Sequence, residues 1–393
     1  MTVSTGGQIA EHLSIGVLAQ SYPIEKIRSI LERGGFESQR VRDLPAEVVV
    51  YYVIALGLFM AVSTGEVLRC LVEGLRWMSG GSQVRVAGKS AISQARSRLG
   101  AEPLKMLWEE TARPLASPAS AGAFYGRWRL VAVDGSTLDI PDTAENLAHF
   151  GKQKAIRGEA AFPKLRFVAL VECGPHAAFD VAMGAYATSE HTLAGQVVAG
   201  LEPKMLCLAD RLYATYPLWK KALATGAHLL WRARNTALLP AEQELEDGSY
   251  LSTLYPSAKA RRHGEEGIRV RVIDYELKGV AGAEPFYRLI TSLLDPKEAP
   301  ALELAALYPQ RWEIEGFFDE LKTHLRGGRV VLRSKTPTLV EQEFYGLLLA
   351  HRAVRALINE AAEKEKIDPD VLSFTHALRV IRRKLAHTPA ISP

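Results

Sequence analysis

The stretch WRLVAVDGS at residues 128–136 predicts a buried strand that runs directly into an acidic turn. Farther along the chain, MLCLADR at residues 205–211 has the same form. Continuous apolar runs of this length are typical of strands that are covered on both faces. Asp134 and Asp210 follow the two runs, and a carboxylate in that place is held by rigid backbone at the edge of the sheet. The alternative for either aspartate alone is a capping role in the next turn.

The sequence around these two runs alternates strands with helices. Two more apolar strands are predicted after Asp134, and a helix begins at Ser189, before the strand that ends at Asp210. A helix and then a strand at His228–Arg232 follow. Three strands, then helix, strand, helix and strand, is the order expected of a ribonuclease H-like α/β core, although other α/β folds alternate in this way too. We place the first part of that core at residues 121–234.

The flanking regions predict different architectures. Residues 1–120 predict an all-α N-terminal domain, and the Pro-, Ala-, Ser- and Gly-rich stretch Pro114–Gly122 indicates a linker at its end. Residues 235–298 contain three predicted strands, Tyr250–Leu254, Ile268–Leu277 and Phe286–Leu293, and indicate a β-rich insertion into the core. The helical pattern then resumes, so we place the second part of the core at residues 299–350 and a helical C-terminal segment at residues 351–393.

The bulk composition sets few limits. A chain of 393 residues is long enough for two or three domains, and its net charge of +4 permits a polyanionic partner without requiring one. The longest apolar run, residues 48–62, is shorter than the roughly 20 residues of a membrane-spanning helix and predicts a buried helix from Leu44 to about Val62. No His-x3-His or Cys-x2-Cys spacing occurs, so we expect no zinc site. The polar, glycine-rich start predicts no secretory leader.

A third candidate carboxylate, Glu315, shares one face of a predicted helix with other polar side chains. Tyr308, Arg311, Glu315 and Lys322 stand at i, i+3, i+7 and i+14. At about 100° per residue these side chains fall within about 60° of one another on one regular helix. A carboxylate flanked by a hydroxyl and two cations suits phosphodiester chemistry, because metals need anionic ligands and a DNA backbone needs cations. The alternative is a solvated, charged helix face.

The spacing Y-x2-R-x3-E-x6-K formed by these four residues is the hallmark of the insertion-sequence-four family of bacterial DDE transposases, which the chain resembles. The whole run YPQRWEIEGFFDELK, residues 308–322, is similar to that family's third motif. AVDGSTLDIPDTAENLAHFG at residues 132–151 and LADRLYATYPLW at residues 208–219 look like its first and second motifs. The stretches LPAEVVVYYVIALGLFM, EVLRCLVEGLRW and KSAISQARSRLG resemble the helical N-terminal domain of one branch.

The resemblance implies a metal-dependent, cut-and-paste DNA transposase. Asp134, Asp210 and Glu315 would form the catalytic triad and hold two Mg²⁺ ions, for which Mn²⁺ would substitute. Such an enzyme nicks the transposon end, forms and resolves a hairpin there, and joins the 3′-hydroxyl to target DNA.

The resemblance also implies how the DNA strand is held. Tyr308, Arg311 and Lys322 would grip it at the scissile phosphate. Hairpin formation in relatives uses a flipped base stacked on an aromatic residue of the β insertion, and Tyr287 is our candidate for that residue. The alternative for Tyr287 is an ordinary core or cross-strand tyrosine.

The implied partners are double-stranded DNA, both the terminal inverted repeats and the target, and a second copy of the chain in a homodimer on DNA. The implied location is the bacterial cytoplasm, at the nucleoid when DNA is bound. Basic and polar residues in three segments are further candidates for DNA contact: Lys89, Gln94, Arg98, Arg232, Arg234, Arg326, Arg329 and Arg333. The first three lie on a predicted recognition helix that begins at Ser90 and ends near Gly100. Solvation alone is the alternative for each.

Two other functions stay open on the sequence. One is a ribonuclease H-like nuclease, and the other is a domesticated DNA-binding protein without catalysis. The β-rich insertion and the Tyr308, Arg311 and Lys322 face favour a transposase over the nuclease. The intact carboxylates favour an active enzyme over the domesticated protein.

Overall fold

The computed structural model describes residues 13–38, 44–69, 71, 88–155, 158–264, 266–276, 284, 286–327 and 331–386. Its α-helices are α1 Leu13–Ser21, α2 Ile24–Gly34, α3 Ala46–Leu58, α4 Lys89–Leu99, α5 Glu102–Thr111, α6 Ala144–Phe150, α7 Glu190–Val197, α8 Tyr216–Leu223, α9 Ala258–Arg262, α10 Ala301–Leu307, α11 Glu313–Asp319, α12 Pro337–Glu365 and α13 Phe374–Ala386. Its strands are β1 Phe124–Tyr125, β2 Trp128–Asp139, β3 Lys152–Ala155, β4 Gly158–Glu172, β5 Ala177–Ala185, β6 Met205–Ala209, β7 His228–Arg232, β8 Gln243–Glu244, β9 Tyr250–Leu254, β10 Ile268–Tyr275 and β11 Tyr287–Thr291.

One mixed sheet of eleven strands organises the described part of the chain. Its main path runs β3-β4-β2-β6-β7-β11-β10-β9-β8, with β5 paired to β4 and β1 to β2. β2 is parallel to β6, and β6 is parallel to β7, whereas β4 runs antiparallel to β2. Apolar residues cover both faces of the sheet, since β2 contributes Leu130 and Ala132 to one core and Val131 and Val133 to the other. The predicted α/β class is therefore confirmed.

The region predicted as a β-rich insertion continues this sheet. β11 pairs antiparallel with β7, with Leu289 opposite Arg232, and β10, β9 and β8 follow in order. β9 has the predicted bounds, and β10 and β11 lie within the predicted runs. The insertion thus shares hydrogen bonds with the strand β7, which places its residues at a fixed position relative to the strands that carry the two aspartates.

The N-terminal helices pack directly on the long helix α12. α3 is shorter than predicted, because Pro45 caps its start and it ends at Leu58. A Cβ on Gly346 would lie 2.7 Å from the Val53 carbonyl oxygen, and one on Gly57 would lie 2.9 Å from the Ala350 Cβ. Glycine at both places lets the two backbones approach closely. Within the described residues, no helix has the length and apolarity needed to cross a membrane.

The stretch predicted as a linker, Pro114–Gly122, is fixed to its surroundings. The Leu115 and Ala116 amides donate to Glu172 Oε2 at 2.6 and 3.0 Å, and the Ser117 amide donates to Glu363 Oε1 at 3.2 Å. Two carboxylates from distant parts of the chain therefore hold this backbone in place, which its small-residue composition could not indicate.

Candidate active site

Asp134 and Asp210 lie side by side at one edge of the parallel strands. Val133 of β2 is the register partner of Ala209 of β6, and each is followed by one of the aspartates. The prediction that β2 ends at Asp134 is wrong, because antiparallel pairing with β4 continues as far as Asp139. Asp134 is instead the first residue of β2 beyond its parallel partner β6. The two aspartates therefore lie on neighbouring strands where the parallel pairing stops.

The segment that carries Glu315 is not one regular α-helix, as the helix-face argument assumed. α10 ends at Leu307, a 3-10 turn covers Tyr308–Trp312, α11 covers Glu313–Asp319, and a π-helical stretch covers Glu320–Leu325. Pro309, at the start of the 3-10 turn, explains the first break, since its ring has no amide hydrogen and clashes with the carbonyl four residues earlier. We find no comparable cause for the π-helical stretch.

Three side chains of this segment nevertheless contact the strands that hold the aspartates. Arg311 Nη1 lies 3.3 Å from Asp134 Oδ2, and Lys322 Nζ donates to Ser136 Oγ at 2.7 Å. The Tyr308 hydroxyl donates to the carbonyl oxygen of Ala209 at 3.2 Å. Glu315 is exposed on α11, where its charge acts on both Asp134 and Lys322. The irregular helix therefore still brings the four predicted side chains to one edge of the sheet.

The electrostatics of Asp134 favour a bound cation. Burial raises the pKa of Asp134 to about 6, against the opposing effects of the Gly135 amide and of Arg311, while Glu315 raises it further. Tyr213 also donates to Asp134 Oδ1, at 3.2 Å. The hydrogen bonds and the positive charge that the protein supplies thus offset only part of the cost of burying the negative charge of Asp134. Carboxylate oxygens are the ligands that a hard divalent ion such as Mg²⁺ prefers.

Comparison with known proteins agrees with this geometry. The family model "Insertion element 4 transposase N-terminal" matches residues 12–109, and "Transposase DDE domain" matches residues 127–352. The transposase InsG for insertion sequence element IS4 from Escherichia coli (strain K12) is 32% identical over 376 residues, which cover 94% of this chain and 82% of that protein. The chain belongs to the insertion-sequence-four family of DDE transposases. It is therefore a DNA transposase, a metal-dependent enzyme that cleaves DNA.

Two further proteins are similar to this transposase. The putative transposase InsZ of Escherichia coli (strain K12) is 26% identical over 230 residues, 58% of this chain and 72% of that protein. The solved structure of a piggyBac transposase synaptic complex with hairpin DNA is 10% identical, with a TM-score of 0.49, and the match covers 97% of this chain and 83% of that one.

Tyr287 and Arg232, two of the residues predicted to contact DNA, contact each other at the junction of β7 and β11. The Tyr287 ring stacks on Tyr275 with 5.4 Å between centroids, and the Arg232 guanidinium lies 4.6 Å from the Tyr287 centroid. Arg232 also pairs with Glu284 at 2.6 Å, whereas Arg234 is exposed. A flipped base could stack on Tyr287 only by displacing one of its present neighbours. This arrangement matches the cross-strand alternative for that residue.

Arg333, one of the arginines after Lys322 that were predicted to contact DNA, is hydrogen-bonded within the protein. Arg333 donates to the carbonyl oxygens of Phe59, at 2.8 Å, and of Met60. It therefore satisfies carbonyls just beyond the end of α3 instead of facing solvent. Arg326 is 7% exposed, so little of its side chain is available to a phosphate. Arg329 lies outside the described residues.

One face of the predicted recognition helix, α4, is hydrogen-bonded to the rest of the protein, and another face is exposed. It begins at Lys89, one residue before the predicted start. Arg96 is buried and donates to Gln342 Oε1 and Ser334 Oγ, both at 2.8 Å. Lys89, Gln94 and Arg98 are exposed, so they are free of the packing that fixes Arg96.

Three residues of the site escaped the sequence analysis. Ser136 stands two residues after Asp134 and Tyr213 three residues after Asp210, so their place within the first two motifs was the available signal. Trp312 is 65% exposed beside Arg311, whose guanidinium lies 5.3 Å from its ring. An exposed tryptophan next to a cation of the site is an available stacking surface for a base.

A second group of metal-ligating residue types, His176, Glu313 and Asp370, lies away from the two aspartates. His176 Nε2 lies 3.3 Å from Asp370 Oδ1 and 3.7 Å from Glu313 Oε2. The ring's other nitrogen, Nδ1, accepts from Arg355 at 2.6 Å, since arginine can only donate. Neutral His176 therefore carries its proton on Nε2, which leaves no lone pair there for a metal. We assign this group to polar contacts within the protein, and the predicted absence of a zinc site stays a prediction.

Proposed function

We propose that this transposase moves an insertion sequence by cut-and-paste chemistry at Asp134, Asp210 and Glu315. The observation that carries the proposal is the pairing of Val133 with Ala209, which sets the two aspartates side by side. Two Mg²⁺ ions, with Mn²⁺ as a substitute, would supply an activated nucleophile and charge neutralisation at the phosphate. The three carboxylates would hold these ions, and Arg311 would keep the Asp134 carboxylate oriented toward them.

The cations of the site would hold the scissile phosphate. Lys322 is half-buried against Ser136, where burial lowers its pKa and the Glu315 charge opposes that effect. Its ammonium is therefore positioned by a hydroxyl and a carboxylate, at the place where a DNA oxygen would approach. The Tyr308 hydroxyl is already used by the Ala209 carbonyl, so we propose that Tyr308 supports the strand end before Asp210 and meets DNA with its ring edge.

The wider assignments follow the same reasoning. The path β5-β4-β2-β6-β7, with β4 antiparallel, supports a ribonuclease H-like core at residues 121–234 and 299–350, extended by the insertion at residues 235–298. We propose that the helical residues 1–120 bind the terminal repeats through the exposed face of α4. The helical residues 351–393 would join two copies into a dimer on DNA, since two ends must be brought together.

We also propose that end cleavage passes through a hairpin with a flipped base. Tyr287 stays a candidate for stacking that base, although Tyr275 and Arg232 already contact it. Trp312 is a second candidate because it is exposed beside Arg311. Replacing each by alanine separates them, since only loss of the stacking residue should block hairpin formation while leaving the first nick intact.

The test of the triad is end cleavage by Asp134→Asn, Asp210→Asn and Glu315→Gln. The substrate is labelled linear DNA that carries the repeats flanking the gene, with Mg²⁺ present. Each variant should lose nicking while a mobility-shift assay shows unchanged end binding, because the substitutions remove metal ligands and not DNA contacts. Normal cleavage by any one variant would overturn the triad. Strand transfer by the wild type, beyond simple nicking, separates a transposase from a nuclease.

A further inference from the structure

A short basic helix, α9, lies in the loop between β9 and β10. It carries Lys259, Arg261 and Arg262 and no acidic residue. The Ser257 hydroxyl caps its start by accepting from the Ala260 amide at 3.0 Å, and Ala260 is buried. This alanine therefore anchors the helix to the insertion, while Lys259 and Arg262 are exposed to solvent.

The helix α8 borders the same loop across a groove. The groove has a volume of about 540 Å³, and its lining includes Tyr216 and Lys220 of α8 together with Pro256 and Glu266 of the loop. The Tyr216 hydroxyl donates to the Glu266 carbonyl oxygen at 3.4 Å, which connects the helix to the loop. Pro256 and Glu266 stand on either side of α9 in the sequence, and Lys220 is exposed. Lys220 and the three cations of α9 therefore form one basic surface, the α8–α9 surface.

The cations of the α8–α9 surface differ from other cations of the insertion in having no acidic partner. Within the part of the chain that the structure describes, no carboxylate forms an ion pair with Lys220, with Lys259 or with either arginine of α9. Elsewhere in the insertion Arg269 pairs with Glu242. A phosphate that approaches the α8–α9 surface therefore has no carboxylate to displace, whereas at Arg269 it would compete with one.

The α8–α9 surface lies toward the opposite end of the strands from the two aspartates of the active site. Across β11 and β7, the pairing register places Ile273 of β10 level with Asp210. From there β10 extends back to Ile268, five residues or about 17 Å away, and the loop that contains α9 lies just before that residue. Because one strand of a duplex carries a phosphate about every 3.4 Å, α9 is at least about five base pairs from a phosphate at the active site.

We propose that the α8–α9 surface binds the backbone of target DNA during strand transfer. This inference rests on the proposed function, because strand transfer is the step that requires target DNA. Lysine and arginine side chains that contact phosphates carry no sequence information. Residues 256–264 contain no asparagine or glutamine that could read a base edge. Such a surface suits the target, whose sequence differs from one insertion to the next, better than the terminal repeats, which the enzyme must recognise.

The test compares two double variants of the full-length protein that lose the same charge. Lys259→Ala/Arg262→Ala, the α9 variant, removes two unpaired cations of the α8–α9 surface. The matched control, Arg127→Ala/Arg269→Ala, removes two exposed arginines that already pair with acids. Strand transfer of a pre-cleaved transposon end into plasmid DNA is measured against salt concentration. End cleavage and end binding are measured separately.

The α9 variant should slow strand transfer about tenfold and lower the logarithmic salt slope by about two, because each lost phosphate contact removes about 0.9 from that slope. The control should keep the wild-type rate and slope, and both variants should cleave and bind ends normally. Strand transfer by the α9 variant at the control's rate and slope would overturn the proposal. An equal loss of end binding would overturn the assignment to target DNA, because the surface would then hold the terminal repeat.

The length of the target provides a further readout. The difference between the wild type and the α9 variant should vanish on target duplexes that extend fewer than about five base pairs on either side of the joining site. A difference that persists on such short targets would contradict contact at α9. If the wild type cleaves ends but joins none of them, the proposed function fails instead, so the two failures are distinguishable.

Discussion

Glu320→Gln should destabilise the transposase strongly, although Glu320 is not one of the three carboxylates proposed for catalysis. Glu320 lies between Glu315 and Lys322 and joins their segment to α12. Arg355 donates its Nε to Glu320 Oε2 at 2.7 Å and its Nη2 to Oε1, and His351 Nε2 lies 2.9 Å from Oε2. The side chains are buried, with 8% of Glu320 and 3% of Arg355 exposed. Glutamine removes the negative charge that Arg355 requires.

The expected loss is about 3–5 kcal/mol of unfolding free energy, because removing one partner leaves a buried charge without compensation. Arg355 Nη1 already has no hydrogen-bond partner among the described residues, which indicates that few other acceptors are within reach of the guanidinium. The matched control is Asp319→Asn, one residue away. Asp319 pairs with His324 at 3.1 Å, but 57% and 40% of these side chains are exposed. The control should lose less than about 1 kcal/mol.

Urea unfolding followed by tryptophan fluorescence measures both variants. Equal midpoints for Glu320→Gln and Asp319→Asn would refute the reasoning, because a buried charge pair and an exposed one would then contribute alike. End cleavage at low temperature provides a second readout. The Glu320 variant should bind DNA normally and cleave poorly, since the segment that carries Glu315 and Lys322 is no longer held against α12.

The same pair predicts a pH dependence of stability. Burial alone would raise the pKa of Glu320, but His176, His351 and the Arg355 charge outweigh it and hold that pKa well below its usual 4.5. A carboxyl with a lowered pKa contributes stability above pH 4.5, and that contribution is lost as the pH falls toward the folded-state value. The difference between wild type and Glu320→Gln should therefore stay constant from neutral pH to about pH 5 and shrink at lower pH.

Three other predictions concern the scaffold and the DNA contacts. Arg333→Ala should cost about 1–3 kcal/mol in urea unfolding and leave DNA affinity unchanged, since Arg333 serves the carbonyls beyond α3. Gly346→Ala should cost about 1–3 kcal/mol by overpacking, whereas Gly195→Ala, with nothing within 4 Å of its new Cβ, should be neutral or slightly stabilising. The double variant Lys89→Ala/Arg98→Ala should weaken end binding and lower the salt dependence by about two phosphate contacts, so an unchanged salt slope would remove α4 from the interface.

The strands could be predicted because their signal is local. Met205–Ala209, His228–Arg232 and Tyr250–Leu254 have the predicted bounds, since each is a short apolar or alternating run between clear turn residues. The position of Asp210 directly after a strand follows from the first of these, Met205–Ala209. The position of Asp134 within its strand could not be predicted in this way. The length of β2 depends on its pairing with β4, and the sequence around Asp134 does not reveal that partner strand.

The contacts of individual cations could not be predicted from composition. Arg98 and Arg333 both stand in basic stretches, yet one is exposed and the other is hydrogen-bonded to backbone carbonyls. Arg96 and Arg98 lie on the same helix, yet Arg96 is buried and hydrogen-bonded whereas Arg98 is exposed. Burial of an arginine depends on which carbonyls and carboxylates the tertiary fold brings near, and long side chains bury their stems readily.

The spacing of the third motif is explained by the sheet as well as by DNA. A regular helix would place Lys322 about 21 Å along its axis from Tyr308. Their contacts, the Ala209 carbonyl and the Ser136 hydroxyl, are only about 10 Å apart along the strands, because Ser136 is three residues beyond the partner of Ala209. The two end residues must therefore lean toward each other, which only long side chains can do. Tyrosine and lysine at the ends, with the shorter Glu315 between them, meet that requirement before any DNA is bound.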